Sequence, residues 1–132
     1  MYKGRIISAT PITANTNIPF VTVWNTNNNT RYSETDNAVE LRAGGYYDVA
    51  VSMTLTNSAT SPIAIQLYAN GTPIAETVSE SDITATTGTH TLTIVDTVRV
   101  RADLVNNFAE ISVRATNDAT VLTGLMTVEM RK

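Results

Sequence analysis

The sequence predicts an all-β fold, and three observations favour it. A Gly-Gly step opens an alternating run within Leu41–Leu55, whose apolar side carries Tyr47, Val49, Val51, Met53 and Leu55. Side chains of a strand point alternately to opposite faces, so this run predicts a long strand with one buried face. Similar segments recur about every 8–12 residues between turn residues. Nowhere do apolar residues keep helical spacing over three turns.

The N-terminal half predicts a series of short elements. Residues 1–16, with Pro11 ending a short apolar segment, are expected to form an extended arm or an edge strand. Phe20–Trp24 is β-branched and aromatic, which predicts a strand. Asn25–Asn37 is the most polar stretch and predicts an exposed loop or a short edge strand. Ala38–Arg42 puts Val39 and Leu41 on one face and leads into the long strand.

The C-terminal half contains the strongest turn signal. An alternating segment ends at Asn70-Gly71 and Thr72–Ile74 returns, which predicts a type I′ hairpin because both turn residues need positive φ. A bend is expected at Asp96-Thr97, and a turn or at most one helical turn is expected at 103–107. The remaining predicted strands are Thr89–Val95, Val98–Arg101, the region of Ile111 and Val113, and Thr120–Arg131.

Eight to ten antiparallel strands of this kind predict a β-sandwich, most simply a jelly roll. The 132 residues suit one domain spanning 1–132, since a chain of this length buries roughly two-thirds of its unfolded surface. The sequence has no internal repeat and no low-complexity linker.

Composition argues against several classes of partner. The net charge of −3, from 9 basic and 12 acidic residues, disfavours nucleic acid, because phosphate binding needs a basic face. No apolar run approaches the roughly 20 residues that span a bilayer, so no membrane partner is expected. The N-terminus lacks the apolar core of a Sec signal peptide. Export on a virion or release by lysis is consistent with that.

The sequence offers no catalytic or metal-binding pattern. Cysteine is absent, which excludes thiol nucleophiles and Cys-zinc sites. The single histidine, His90, lies in Thr-His-Thr, is expected on the outward side of a strand, and has no acidic neighbour in sequence. The acidic residues are scattered, and no EF-hand, GxSxG or phosphate-binding glycine motif occurs. We therefore expect no enzyme activity and no cofactor.

Two aromatic groups are candidates for binding. Trp24 abuts an Asn-rich loop with Asn28, Arg31 and Tyr32, a combination that could stack on a sugar and bind its hydroxyls. The alternative is that Trp24 closes the core and the loop is only solvated. Tyr46 and Tyr68 fall on the polar sides of their strands, where a subunit contact could bury their rings and satisfy their hydroxyls.

Three motifs in order resemble a known fold family. They are Gly44-Gly45-Tyr46-Tyr47 with its alternating strand, Ile65–Gly71 ending in Asn-Gly, and the small-Gly-apolar step of Leu122–Met126. Over roughly residues 38–130 the sequence resembles jelly-roll domains of the tumour-necrosis-factor and complement globular-head type. Asp48 departs from the pattern, since the family usually has an apolar or aromatic residue there. The low aromatic content of 6% and the many Thr and Asn residues are more similar to small bacteriophage head-fibre or capsid-decoration jelly rolls.

This resemblance implies a homotrimeric, non-enzymatic virion structural protein that contacts capsid or fibre proteins after synthesis in the host bacterial cytoplasm. It places the Gly-Tyr-Tyr strand near the three-fold contact, so the interface candidates are Tyr46, Tyr47, Asp48 and Tyr68. The charge of Asp48 requires a partner there, and no pattern in the sequence identifies one. The alternative function is a carbohydrate- or receptor-binding module that uses the aromatic and Asn-rich loop.

Overall fold

The computed structural model describes residues 1–26, 29–42, 44–57, 62–80, 88–100 and 109–131. These residues contain eleven strands. In chain order the strands are β1 (Tyr2–Ile6), β2 (Thr10–Ile12), β3 (Val21–Asn25), β4 (Thr30–Ser33), β5 (Ala38–Leu41), β6 (Gly45–Asn57), β7 (Ala64–Ala69), β8 (Thr72–Glu80), β9 (Gly88–Val100), β10 (Ala109–Ala115) and β11 (Ala119–Met130).

The strands form two antiparallel sheets that pack as a sandwich. Sheet A has the order β3-β1-β11-β6-β9, and β2 also pairs with β11. Sheet B has the order β4-β5-β10-β7-β8. The all-β jelly-roll prediction is confirmed. Eleven strands exceed the eight to ten expected, because the three-residue β2 pairs with the last strand despite containing Pro11.

Strand β6 organises sheet A because it pairs along its whole length. Its 13 residues pair with β9 from Gly45↔Val100 to Asn57↔Gly88, and β11 lies on its other side. The predicted inward residues are all buried: Tyr47, Val49, Val51, Met53 and Leu55. Facing residues of sheet B, including Leu67 and Ile111, complete the core. The alternating run within Leu41–Leu55 is nevertheless divided, since Leu41 ends β5 in sheet B and β6 begins at Gly45 in sheet A.

The predicted hairpin is present at Asn70-Gly71. The φ angles of these residues are 52° and 80°, and Ala69 pairs with Thr72 across the two-residue turn. Both turn residues therefore adopt the positive φ that the type I′ geometry requires. The Asn70 side chain also accepts a hydrogen bond from the Glu110 amide at 2.9 Å, which ties the turn to β10.

Two segmental expectations are wrong. Residues 1–16 do not form an arm or a sheet edge throughout, because β1 lies inside sheet A between β3 and β11. No bend occurs at Asp96-Thr97, because β9 continues through both residues, which pair with Val49 and Asp48 of β6. The turn, or single helical turn, expected at 103–107 lies outside the described residues.

The expected outward position of His90 is also wrong. His90 lies two residues before Leu92 and pairs with the buried Leu55, so it shares the inward side of β9. Its Nε2 atom is buried and has no hydrogen-bond partner in the described part of the chain. His90 is therefore at the end of the core and not on the outer surface.

Two inward glycines on neighbouring strands should respond differently to alanine. A Cβ on Gly4 would collide with the Tyr2 hydroxyl and lie 3.1 Å from Phe20 Cβ, and the Tyr2 ring is buried and stacked on Tyr32. A Cβ on Gly124 meets only ordinary contacts, 3.5 Å from Ile6 and 3.6 Å from Met53. We expect Gly4→Ala to lower the free energy of unfolding by about 1–3 kcal/mol through overpacking.

The matched variant Gly124→Ala should leave stability within about 1 kcal/mol of the parent or raise it, because alanine restricts the unfolded chain. Urea unfolding of both variants measures the difference. Equal losses from the two substitutions would contradict the described packing of Tyr2.

Candidate subunit interface

The candidate site is the outer face of sheet A, called here the sheet A face. Paired residues of antiparallel strands lie on the same side of a sheet, so the register aligns outward side chains in rows. One row is Trp24, Lys3, Thr127, Ala50 and Val95; the next is Val21, Arg5, Leu125, Ser52 and Thr93. These rows cross the sheet from β3 at one edge to β9 at the other.

Exposed apolar side chains concentrate on this sheet. Among the described residues eight large hydrophobic side chains are exposed, and six of them belong to strands of sheet A: Val21, Val23, Trp24, Tyr46, Val95 and Leu125. Val95 is 78% exposed, although it lies in a regular strand. Only Val78 of the eight belongs to a strand of sheet B. Concentrated exposed apolar surface is typical of contacts with other molecules, which makes sheet A the candidate interface.

Toward one end, the β11, β6 and β9 part of the sheet A face carries hydroxyl groups and no charge. Thr54 Oγ1 and Thr91 Oγ1 lie 3.1 Å apart and satisfy each other across the two strands. The outward residues here are Thr120, Thr123, Thr54, Thr56, Thr89 and Thr91. Because this part holds no charge and some of its hydroxyls are already paired, another subunit could cover it without burying an ion.

At the opposite end of the same face, Asp48 has the partners that the sequence did not identify. Arg131 Nη2 donates to Asp48 Oδ1 at 2.7 Å and to Thr97 Oγ1 at 3.1 Å. Thr97 Oγ1 donates to the same carboxylate oxygen at 2.9 Å. The hydrogen bond from Thr97, followed by that from Arg131, lowers the pKa of Asp48. The network joins β6, β9 and the end of β11, so this charge is compensated within the chain.

Two aromatic rings of the sheet A face lie under cations. The Lys3 ammonium is 5.0 Å from the centre of the Trp24 ring, and the Arg99 guanidinium is 5.9 Å from that of Tyr46. Such contacts are worth about 0.5–1 kcal/mol at exposed sites. They orient two large, half-exposed rings near two edges of the face, where a partner could cover them.

The four predicted interface residues do not share one surface. Tyr46 and Asp48 lie on the sheet A face. Tyr47 is fully buried in the core, and its hydroxyl donates to the Asn29 carbonyl, so its expected role in a subunit contact is wrong. Tyr68 lies on the outer side of sheet B, where the Arg114 guanidinium covers its ring at 4.4 Å. It therefore cannot belong to the patch around Tyr46.

The predicted glycan-binding group is also dispersed. Trp24 is half-exposed on the sheet A face and does not close the core. Arg31 is exposed on the outer side of sheet B, opposite Glu40. The Tyr32 ring stacks on Tyr2 inside the sandwich at 5.6 Å, and its hydroxyl bonds Phe20 and Asn37. Asn28 lies outside the described residues.

Of the two stacked tyrosines, Tyr2 is buried and Tyr32 is half-buried. Burial raises the pKa of Tyr2 to about 12, and burial also raises that of Tyr32. The stacked pair therefore stays neutral and serves packing between β1 and β4, not the binding of a sugar.

The outer side of sheet B is charged. Glu40 pairs with both Arg31 and Glu110, and Asp36 lies beside Glu110. Partial burial, then Asp36 and Glu40, raise the pKa of Glu110. No three His, Asp or Glu residues in the described part are arranged to hold a metal ion. The described residues also include no helix long and apolar enough to cross a membrane.

Sequence reasoning missed the residues that make the sheet A face distinctive. Val95 could have been found, since it is out of phase with Leu92 and Ile94 and must therefore point outward. Leu125 follows from the same alternation around Met126. Arg131 could not be identified, because its contact with Asp48 spans 83 residues of sequence.

The Asp48 network predicts a defined acid dependence. Because the pKa of Asp48 is lowered in the folded chain, its contribution to stability is present above the unfolded value of about 4 and is lost as pH falls through the folded value. Asp48→Asn should therefore lower the melting temperature at pH 7, and the gap to the parent should close below about pH 4. Thermal melts from pH 7 to pH 2.5 measure this gap.

Glu129→Gln is the matched control, since Glu129 lies beside Asp48 on β11 and has no ion pair among the described residues. It should change the melting temperature less than Asp48→Asn at pH 7. A gap for Asp48→Asn that stays constant down to pH 2.5 would contradict the network.

Comparisons with known proteins identify the fold. No protein-family model matches the sequence, and no curated protein matches it. Solved structures do match: Eiger TNF from S. frugiperda has a TM-score of 0.68 at 12% identity, covering 99% of this chain and 95% of that one. Murine APRIL at pH 5.0 has a TM-score of 0.68 at 11% identity, covering 98% of each chain.

A bacteriophage protein matches over a similar length. The PRD1 vertex protein P5 has a TM-score of 0.56 at 13% identity, covering 98% of this chain and 96% of that one. At such low identity these similarities concern the fold alone. They confirm the resemblance expected from Gly44-Gly45-Tyr46-Tyr47 and from the Asn70-Gly71 turn. The chain has a jelly-roll fold of the tumour-necrosis-factor type, which is shared with a phage vertex protein.

Proposed function

We propose that this chain is a non-enzymatic structural protein of a bacteriophage virion and that it forms a homotrimer through its sheet A face. The observation that supports this most directly is the uneven surface of the sandwich. Exposed Val21, Trp24, Val95 and Leu125 lie on sheet A, whereas Val78 is the one exposed large hydrophobic side chain that the described strands of sheet B carry. The exposed apolar surface of the described residues is therefore concentrated on sheet A.

The ion pair of the sheet A face is compatible with burial. Among the described residues, Asp48 and Arg131 compensate each other within the chain and lie at one end of the face. Breaking a buried ion pair is costly, but a pair that stays intact adds no unpaired charge to an interface. Covering about 800 Å² on each partner is typical of a stable contact.

The placement on a virion rests on two supports. The sequence is rich in Thr and Asn, as in small phage jelly rolls, and the chain shares its fold over nearly its full length with the PRD1 vertex protein. We infer that other virion proteins, of the capsid or of a fibre, are its further partners. The dispersed positions of Trp24, Arg31 and Tyr32 support no glycan site at that group.

A charge in the middle of the sheet A face should separate the subunits. Leu125 is 39% exposed and lies between Arg5 and Ser52 in its row. We expect the parent to have a mass of three copies of the 14.2 kDa chain, about 43 kDa, at micromolar concentration. Leu125→Arg should give a folded monomer, because the interface would bury an unpaired cation. Light scattering coupled to size exclusion measures the mass.

Thr72→Arg is the matched control, since Thr72 is exposed on β8 of the other sheet. It should remain a trimer. A monomeric parent, or a trimer that Thr72→Arg disrupts and Leu125→Arg does not, would contradict the proposed contact.

A further inference from the structure

The turn between β7 and β8 contains a residue pair that is chemically reactive on its own. Asn70-Gly71 is the single Asn-Gly step of the 132 residues. In such a step the main-chain nitrogen of the second residue can attack the side-chain carbonyl carbon of the asparagine, and glycine allows this approach because it has no side chain. Asn70 is therefore the asparagine that the sequence makes most susceptible to spontaneous deamidation.

Deamidation at this step proceeds through a five-membered ring. The Gly71 nitrogen loses its proton and forms a bond to Cγ of Asn70, while the bond from Cγ to Nδ2 breaks and ammonia leaves with that proton. Water then adds to one of the two ring carbonyls. Opening at the former side-chain carbonyl gives aspartate, and opening at the main-chain carbonyl gives isoaspartate. Water is the only co-reactant that the reaction needs.

Hydrogen bonds to β10 hold Asn70 away from ring closure. The Asn70 amide donates to the Glu110 carbonyl at 2.8 Å, and the Glu110 amide donates to Asn70 Oδ1 at 2.9 Å. Asn70 thus pairs with β10 through its main chain and through its side chain. The carbonyl group that would be attacked is the one that accepts the bond from the neighbouring strand.

The turn geometry imposes a second restraint. The φ angles of Asn70 and Gly71 are 52° and 80°, and Ala69 pairs with Thr72 across the turn. A type I′ turn fixes the rotation about the Cα–C bond of Asn70 and keeps the Gly71 nitrogen out of the plane that the ring requires. Ring closure must therefore rotate both the side chain and the main chain of Asn70. That rotation breaks the bonds to Glu110 and the pairing across the turn.

This end of the hairpin is suited to local opening. Asn70, Gly71 and Thr72 are exposed, and β8 is an edge strand of sheet B. The register of β7 with β8 also shifts between Gln66 and Tyr68. Exposed hydrogen bonds at a sheet edge open at a lower free energy than those of the core. The turn can therefore open while the rest of the sandwich stays folded.

We propose that Asn70 is a modification site, which is protected while it is bonded to β10 and is deamidated by water when this end of the hairpin opens. The two products act differently. Aspartate retains the oxygen that accepts from the Glu110 amide, so it preserves the hairpin. Isoaspartate adds one carbon atom to the main chain of a two-residue turn, so it removes the pairing of Ala69 with Thr72 and releases the turn from β10. The inference is independent of the homotrimer, because the turn belongs to sheet B.

The test follows deamidation of the full chain at mildly alkaline pH by peptide mapping and mass spectrometry. Chains unfolded in guanidinium chloride should react at Asn70 at least about tenfold faster than folded chains, because only the opened hairpin reacts. Hydrogen exchange of the Asn70 amide measures the open fraction independently. The rate in the folded chain should match the unfolded rate multiplied by that fraction.

Three results would overturn the proposal. Unfolded chains that remain unmodified at Asn70 would exclude the site. Equal rates in folded and unfolded chains would exclude protection by β10. A folded rate well above the value expected from hydrogen exchange would mean that the closed turn reacts.

Gln66→Ala separates local opening from global unfolding. Gln66 Nε2 donates to the Ile74 carbonyl at 3.0 Å, which ties β7 to β8 away from the reacting atoms. Its loss should speed deamidation of the folded chain about fivefold, the effect of one ordinary hydrogen bond, and leave the unfolded rate unchanged. An unchanged folded rate would contradict opening of this hairpin.

Gly4→Ala is the matched control, since it disturbs packing against Tyr2 in sheet A. It should speed deamidation of the folded chain less than Gln66→Ala does. An equal or larger acceleration would mean that the reaction follows global unfolding, which would overturn the local mechanism.

The isolated products test the consequence for the fold. Both products carry a carboxylate in place of a neutral amide, so ion exchange separates them from the parent. Asn70→Asp should keep the Glu110 amide protected from hydrogen exchange, whereas the isoaspartyl chain should lose that protection. An isoaspartyl chain whose Glu110 amide stays protected would contradict release of the turn from β10.

Discussion

The structure depends on the pairing of β6 with its two neighbours. Thirteen residues of β6 pair with β9, and most of its length also pairs with β11. Because side chains alternate with a period of two, this register places Val49 and Val51 in the core and Tyr46 and Asp48 on the sheet A face. A slip of one residue would exchange the two sets. Core formation and the choice of contact surface are thus consequences of one register.

The two outer sides of the sandwich then differ because their strands differ in composition. Outward positions of β6, β9 and β11 are mainly threonine, with Asp48, Arg99 and Glu129 grouped toward one end, whereas those of β5 and β10 include Glu40 and Glu110. Asp48 is the one charged residue of β6, and Arg131 and Thr97 of the same chain pair with its carboxylate. Its charge therefore does not oppose burial of this face.

Much of this fold could be predicted from local patterns. Alternation identified the inward side of β6, and Asn70-Gly71 identified the hairpin, because both signals depend on residues adjacent in sequence. The candidate site required knowledge of which sheet each strand joins. Tyr46 and Tyr68 have the same local pattern but lie on opposite sides of the sandwich. The contact of Asp48 with Arg131 depends on three strands coming together and has no local signal. The alternation with Leu92 places His90 on the inward side of β9, so its observed position also follows from a local pattern.

We infer that another copy of the chain covers the sheet A face, and this burial can be measured directly. Trp24 is the single tryptophan and lies half-exposed on that face, so its fluorescence reports the contact directly. Acrylamide quenching of Trp24 should be weak at micromolar concentration and should increase on dilution, in step with the fall in mass from about 43 kDa to the 14.2 kDa chain. Quenching that is strong and unchanged across the whole concentration range would contradict the account.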